Sequence, residues 1–110
     1  MTETRRERVR AETTVEIKEI ALQQMAEQGA ASLSLRAIAR EMGTSAPAIY
    51  RYFPNRDALV TALIVDAYNS LADALQAADA GQESGDYNGR FRAVARAYRD
   101  WALAHRAEYA

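Results

Sequence analysis

Apolar residues recur at mostly helical spacing along this chain, and the stretches are separated by glycine-bearing or polar stops. Val15, Ile17, Ile20, Ala21, Leu22 and Met25 predict a first helix from about Arg10 to Gln28. Gly29 ends it in the left-handed conformation, and Ala30 and Ala31 form a short link. Leu35, Ile38, Ala39 and Met42 fall at i, i+3, i+4 and i+7, which predicts a short second helix capped by Ser34. Arg36 and Arg40 lie on its opposite side. Gly43 stops that helix, and only about three residues separate it from a third, which Ser45 caps and which reaches Phe53, with Pro47 in its first turn. Ile49 and Phe53 point inward, and Pro54 drives the chain out of the helix.

Asn55 caps a fourth, longer helix from Arg56 to about Ala80, whose buried stripe is marked by Leu59, Leu63, Tyr68, Leu71 and Leu75. The polar stretch from Gly81 to Asp86 is a loop. A last helix starts at Tyr87 or Asn88, with Phe91, Val94, Ala95, Tyr98 and Trp101 on its apolar face. The pattern predicts an all-α protein.

Composition narrows this little. The 110 residues are 49% apolar, enough for a modest core, and lack cysteine, so no disulfide or thiolate metal site is available. The N-terminus has no signal-peptide core, and no apolar run approaches a bilayer-spanning length, so the sequence reads as soluble and cytoplasmic. Arg5, Arg6, Arg8 and Arg10 form an arm, either a solvated, frayed terminus or a flexible arm reaching phosphates or a minor groove.

Charge becomes informative once it is divided. Residues 1–56 carry nine basic and seven acidic side chains, whereas residues 57–110 carry five and eight. The basic half holds the stretch with the clearest chemistry, Ser34 to Arg56. A supporting helix, a tight glycine turn and a second helix with small residues at its start make a helix-turn-helix over residues 34–53. Ala46, Pro47 and Ala48 let such a helix sink into a major groove, where an alanine methyl can meet a thymine methyl. Ser34, Tyr50, Arg51, Tyr52 and Arg56 stand around them. A hydroxyl or phenol can donate to a phosphate, and free amides at the helix starts near Ser34 and Ser45 suit the same anion. Arg36 has the fork that matches guanine O6 and N7.

The blocks Ser34-Leu35-Arg36-Ala37-Ile38-Ala39, Gly43-Thr44-Ser45 and Ala48-Ile49-Tyr50-Arg51-Tyr52-Phe53-Pro54-Asn55-Arg56-Asp57-Ala58-Leu59 resemble the TetR family of bacterial transcriptional regulators. The resemblance covers about residues 11–71. It implies a three-helix, homeodomain-like DNA-binding domain. Tyr50 and Arg56 then occupy the phosphate-contacting tyrosine and basic positions, Tyr52 a position often held by a phosphate-binding histidine, and Ser34 a capping phosphate contact. Arg36 matches a position that often reaches bases, and Ser45, Ala46, Pro47 and Ala48 face them. Many relatives carry a long polar residue where this chain has Ala46, so readout shifts toward Arg36, Thr44, Ser45 and DNA shape. The resemblance also implies a homodimer formed through C-terminal helices, a double-stranded operator, a small-molecule inducer and no cofactor. Residues 72–110 resemble the beginning of the ligand-binding and dimerisation domain, truncated.

Other classes fit less well. One histidine, His105, and no nucleophile elbow or paired carboxylates argue against an enzyme. Asp86-Tyr87-Asn88-Gly89 lacks the later ligands of a calcium loop and reads as a turn, so no metal site is expected. RNA readers usually need sheet platforms. A helical protein–protein interaction module without nucleic-acid binding is the alternative that periodicity alone leaves open.

Overall fold

A computed structural model describes residues 2–106. It is all-α, with five helices and no strand among the described residues. They are α1 (Arg5–Gln28), α2 (Leu35–Met42), α3 (Ala46–Tyr50), α4 (Arg56–Ala80) and α5 (Tyr87–Ala104), with a single 3-10 turn at Ala30–Ser32. The chain divides into two compact units after Ala62, inside α4.

In the first unit, α1 begins five residues earlier than its apolar periodicity suggested, so Arg5, Arg6 and Arg8 are helical rather than a flexible arm. The cause is a capping box. Thr4 Oγ1 accepts from the Glu7 amide at 3.1 Å, and Glu7 Oε2 accepts from the Thr4 amide at 3.2 Å. Gly29 ends α1 at φ 88°, ψ 162°, a region open essentially to glycine alone, not the left-handed helical geometry expected. Gly43, at φ 70°, ψ 31°, does adopt that geometry and closes α2, with the Thr44 amide reaching the Ala39 carbonyl at 2.9 Å.

Ile17, Ala21, Leu33, Leu35, Ile38, Ala39, Ile49, Phe53 and Leu59 form the buried apolar set of this unit. α2 packs on α1 and on α3. The third helix is shorter than expected, five residues instead of nine. The Ile49 carbonyl accepts from both the Tyr52 amide at 2.9 Å and the Phe53 amide at 3.1 Å, so the chain tightens into a turn ahead of Pro54. Val15, expected inside, is 53% exposed.

In the second unit, α4 and α5 are joined by a polar turn and tied by side chains. Asp86 caps α5 by accepting from the Gly89 amide at 2.9 Å, so Asp86-Tyr87-Asn88-Gly89, expected to be a turn, is the cap and opening of a helix. Trp101, buried, donates to Ser70 Oγ at 2.9 Å. The His105 ring stacks on it with centroids 4.4 Å apart. Tyr68, Phe91 and Tyr98 were expected on buried faces, yet they are 69%, 75% and 46% exposed. Periodicity marks an apolar face without saying what covers it. α4 is also long and apolar enough to cross a membrane by length and composition alone, contrary to the sequence reading. Its many alanines raise its average, although its apolar runs are short, the run from Ala62 to Val65 being closed by Asp66. Asp57, Asp66, Asp73 and Asp79 are spread along it.

Arg90 grips Asp79 through two hydrogen bonds, 2.7 and 2.9 Å. These bonds hold the Asp79 carboxyl below the usual carboxylate range, and the guanidinium charge adds to the effect. A lowered native value contributes stability above the ordinary carboxylate value of about 4, lost as pH falls through the lowered one. The unfolding midpoint of Asp79→Asn should therefore lie below that of the parent at neutral pH and converge with it in acid. A gap that persists at the lowest pH reached would show that the pair is not what holds α5 to α4.

Candidate nucleic-acid interface

The start of α2 is built from local chemistry. Ser34 Oγ accepts from the Ala37 amide at 3.2 Å, satisfying one of the four amides that a helix start leaves without intrahelical partners. The next two residues are Leu35, which is buried, and Arg36, which is exposed. An open cleft of about 470 Å³ runs along this end of the helix. Ser34, Arg36, Tyr50, Asn55 and Arg56 line it, with Leu33, Leu35 and Pro54 forming the apolar remainder. Four residues expected to meet DNA, 14 to 22 positions apart between the two blocks, thus share one concavity. A phenol, a serine hydroxyl, helix amides and guanidinium groups form a donor set suited to an anion.

α3 contributes Tyr50, its last residue, to the cleft, and its first turn carries small side chains. Ser45 Oγ accepts from the Ala48 amide at 3.3 Å and caps the helix. Thr44, Ser45 and Pro47 are exposed, and Ala46 and Ala48 half-buried. With only small side chains on this turn, the backbone can approach a flat surface closely. Tyr50, 40% exposed, follows one turn later.

Arg51 and Tyr52 are placed differently from the cleft residues. Arg51 is exposed, but its carbonyl accepts from Arg10 Nη2 at 3.2 Å. The same Arg10 guanidinium sits over the half-buried Tyr52 ring, 4.6 Å from its centroid. Arg10 is thus part of the site's frame, and the sequence placed it in the N-terminal arm. Contacts across 41 residues leave no local signal. Arg56 also differs from the simplest expectation. Its Nε donates to the Leu33 carbonyl at 3.1 Å and its Nη2 to the Ala30 carbonyl at 2.9 Å. Among the described residues, no group of three or more His, Asp or Glu side chains could hold a metal ion.

Comparison with known proteins places this geometry. Residues 17–63 match the model for bacterial regulatory proteins of the tetR family. The chain is 41% identical over 106 residues to the HTH-type transcriptional regulators Mb1846 of Mycobacterium bovis and Rv1816 of Mycobacterium tuberculosis. Each match covers 96% of this chain and 45% of the relative. The crystal structure of SCO4313, described as a regulatory protein, superposes with a TM-score of 0.83 at 48% identity. That match covers 96% of this chain and 49% of the other. The chain therefore spans about half the length of the proteins it matches.

Proposed function

The chain belongs to the tetR family of bacterial regulatory proteins through its residues 17–63, and on that premise we propose that it grips and reads duplex DNA as part of a transcriptional regulator. One observation carries the reading: a single cleft at the start of α2 gathers Ser34, Arg36 and Tyr50, the last residue of an α3 whose first turn carries only small side chains. In this reading α3 enters the major groove, where Ala46, Pro47 and Ala48 touch base edges and thymine methyls. Tyr50, Ser34 and the α2 amides seat a backbone phosphate. Arg51 and Tyr52 lie along the neighbouring strand. Thr44 and Ser45 add hydroxyls at the groove edge, and Arg36 forks onto a guanine.

Residues 11–71 form the DNA-binding part in this proposal. Residues 72–110, the last four outside the described residues, open a ligand-binding and dimerising domain. The whole protein is a cytoplasmic homodimer that represses from a near-palindromic operator. A small inducer changes the half-site spacing through α4, because the two spacings differ in binding free energy.

The test is salt dependence on a duplex that the protein selects from a random pool. Affinity should fall about ten- to a hundred-fold between roughly 50 and 200 mM salt, as expected when two to four phosphates are neutralised. Failure to enrich any duplex, or binding indifferent to salt, would replace this reading with the protein–protein interaction module.

A further inference from the structure

Arg56 is the first residue of α4, and its guanidinium reaches back 23 and 26 residues along the chain. Its two carbonyl partners, Leu33 and Ala30, bracket the turn that leads into Ser34. The Ala30 carbonyl also accepts from the Leu33 amide at 3.2 Å, so Arg56 holds the turn at its own closing bond. The Leu33 carbonyl belongs to the same planar, trans peptide unit as the Ser34 amide. Fixing one end of that unit orients the other, the amide from which the extended backbone of the cap, φ −145° and ψ 126°, continues. From that cap α2 takes its direction.

We propose that Arg56 is a positioning residue. It locks Ser34 and the start of α2 to the first turn of α4, and it serves the duplex through them rather than by contacting a phosphate. The consequence for DNA rests on the function proposed above; the lock does not. Arginine suits the task because its planar fork carries donors that can serve two carbonyls at once. A lysine in its place would keep the charge and lose the fork. Carbonyls, unlike carboxylates, do not cancel the guanidinium charge, so the lock leaves the cleft basic. It also links α4 to the DNA-facing helices: displacing the first turn of α4 pulls on the peptide that orients Ser34.

The two roles separate on Arg56→Lys in the full chain. A phosphate contact survives this change, since an ammonium also binds phosphate. The lock does not. Binding of Arg56→Lys to the duplex selected by the parent should weaken about ten-fold, as for loss of a charged hydrogen bond, with an unchanged salt slope. In the DNA-free protein, the Ala37 amide capped by Ser34 should exchange about ten-fold faster, while α5 amides in the same sample are unaffected. Affinity within about two-fold of the parent, a reduced slope or unaltered exchange at Ala37 would each overturn the proposal. So would a variant unfolded throughout, because a lock at the surface should not hold up the whole unit. If the parent itself selects no duplex, the DNA-binding reading fails, and exchange at Ala37 still decides the lock.

Discussion

Ile49→Ala is expected to destabilise the first unit by about 2–5 kcal/mol, the range for truncating a fully buried aliphatic side chain. Ile49 is 1% exposed and is the one buried residue of α3. A five-residue helix has no stability of its own, since nucleation costs more than so few bonds return. Packing must hold it, and Ile49 supplies that packing, while its carbonyl anchors the turn that follows. Alanine keeps the backbone and the helical preference and removes only the side chain that fills the core. Equilibrium denaturation in urea should show the loss as a lower midpoint with little change in slope. Val15→Ala is the control. Val15 is exposed, and its truncation should move stability by less than about 0.5 kcal/mol. If both variants lost the same small amount, the seat of α3 would have to be sought outside Ile49.

The second large effect concerns reading rather than folding. Arg36→Ala should cost about 1–3 kcal/mol of affinity for the selected duplex and flatten the preference at one base pair. Arg36 is exposed in the first turn of α2, so alanine there should leave the unfolding midpoint in place. The measurement is a panel of duplexes altered one base pair at a time, titrated against parent and variant. An equal loss on every member of the panel would move Arg36 from the bases to the phosphates.

Much of this fold is legible in the sequence because its boundaries are set by local chemistry. Ser34, Ser45, Asn55 and Asp86 each accept from an amide three residues on, and Gly43 takes the positive φ that its place after α2 required. Such signals need no knowledge of the rest of the chain. The start of α1 was equally local, but its Thr4–Glu7 box stands among arginines and ahead of the apolar pattern. The length of α3 depends on how the chain turns ahead of Pro54, which residue types alone do not specify. Burial of Tyr68 and Phe91 depends on what lies over them, a property of other segments. The site divides in the same way. Short motifs nominated Ser34, Arg36 and Tyr50, and the fold brings them to one cleft. The engagements of Arg10 with Tyr52 and of Arg56 with Ala30 and Leu33 are long-range, and no spacing rule foretells them.

The division of labour within α3 has an evolutionary consequence. Ala46, Pro47 and Ala48 face outward or are only half-covered, while Ile49 is sunk in the interior. Substitutions at the outward positions leave the core intact and stay within the few tenths of a kcal/mol typical of surface changes. On the proposed function, a lineage can therefore exchange one preferred DNA site for another, residue by residue, without approaching the stability threshold that purges most mutations. The plainness of this surface marks it as the part of the molecule freest to diverge.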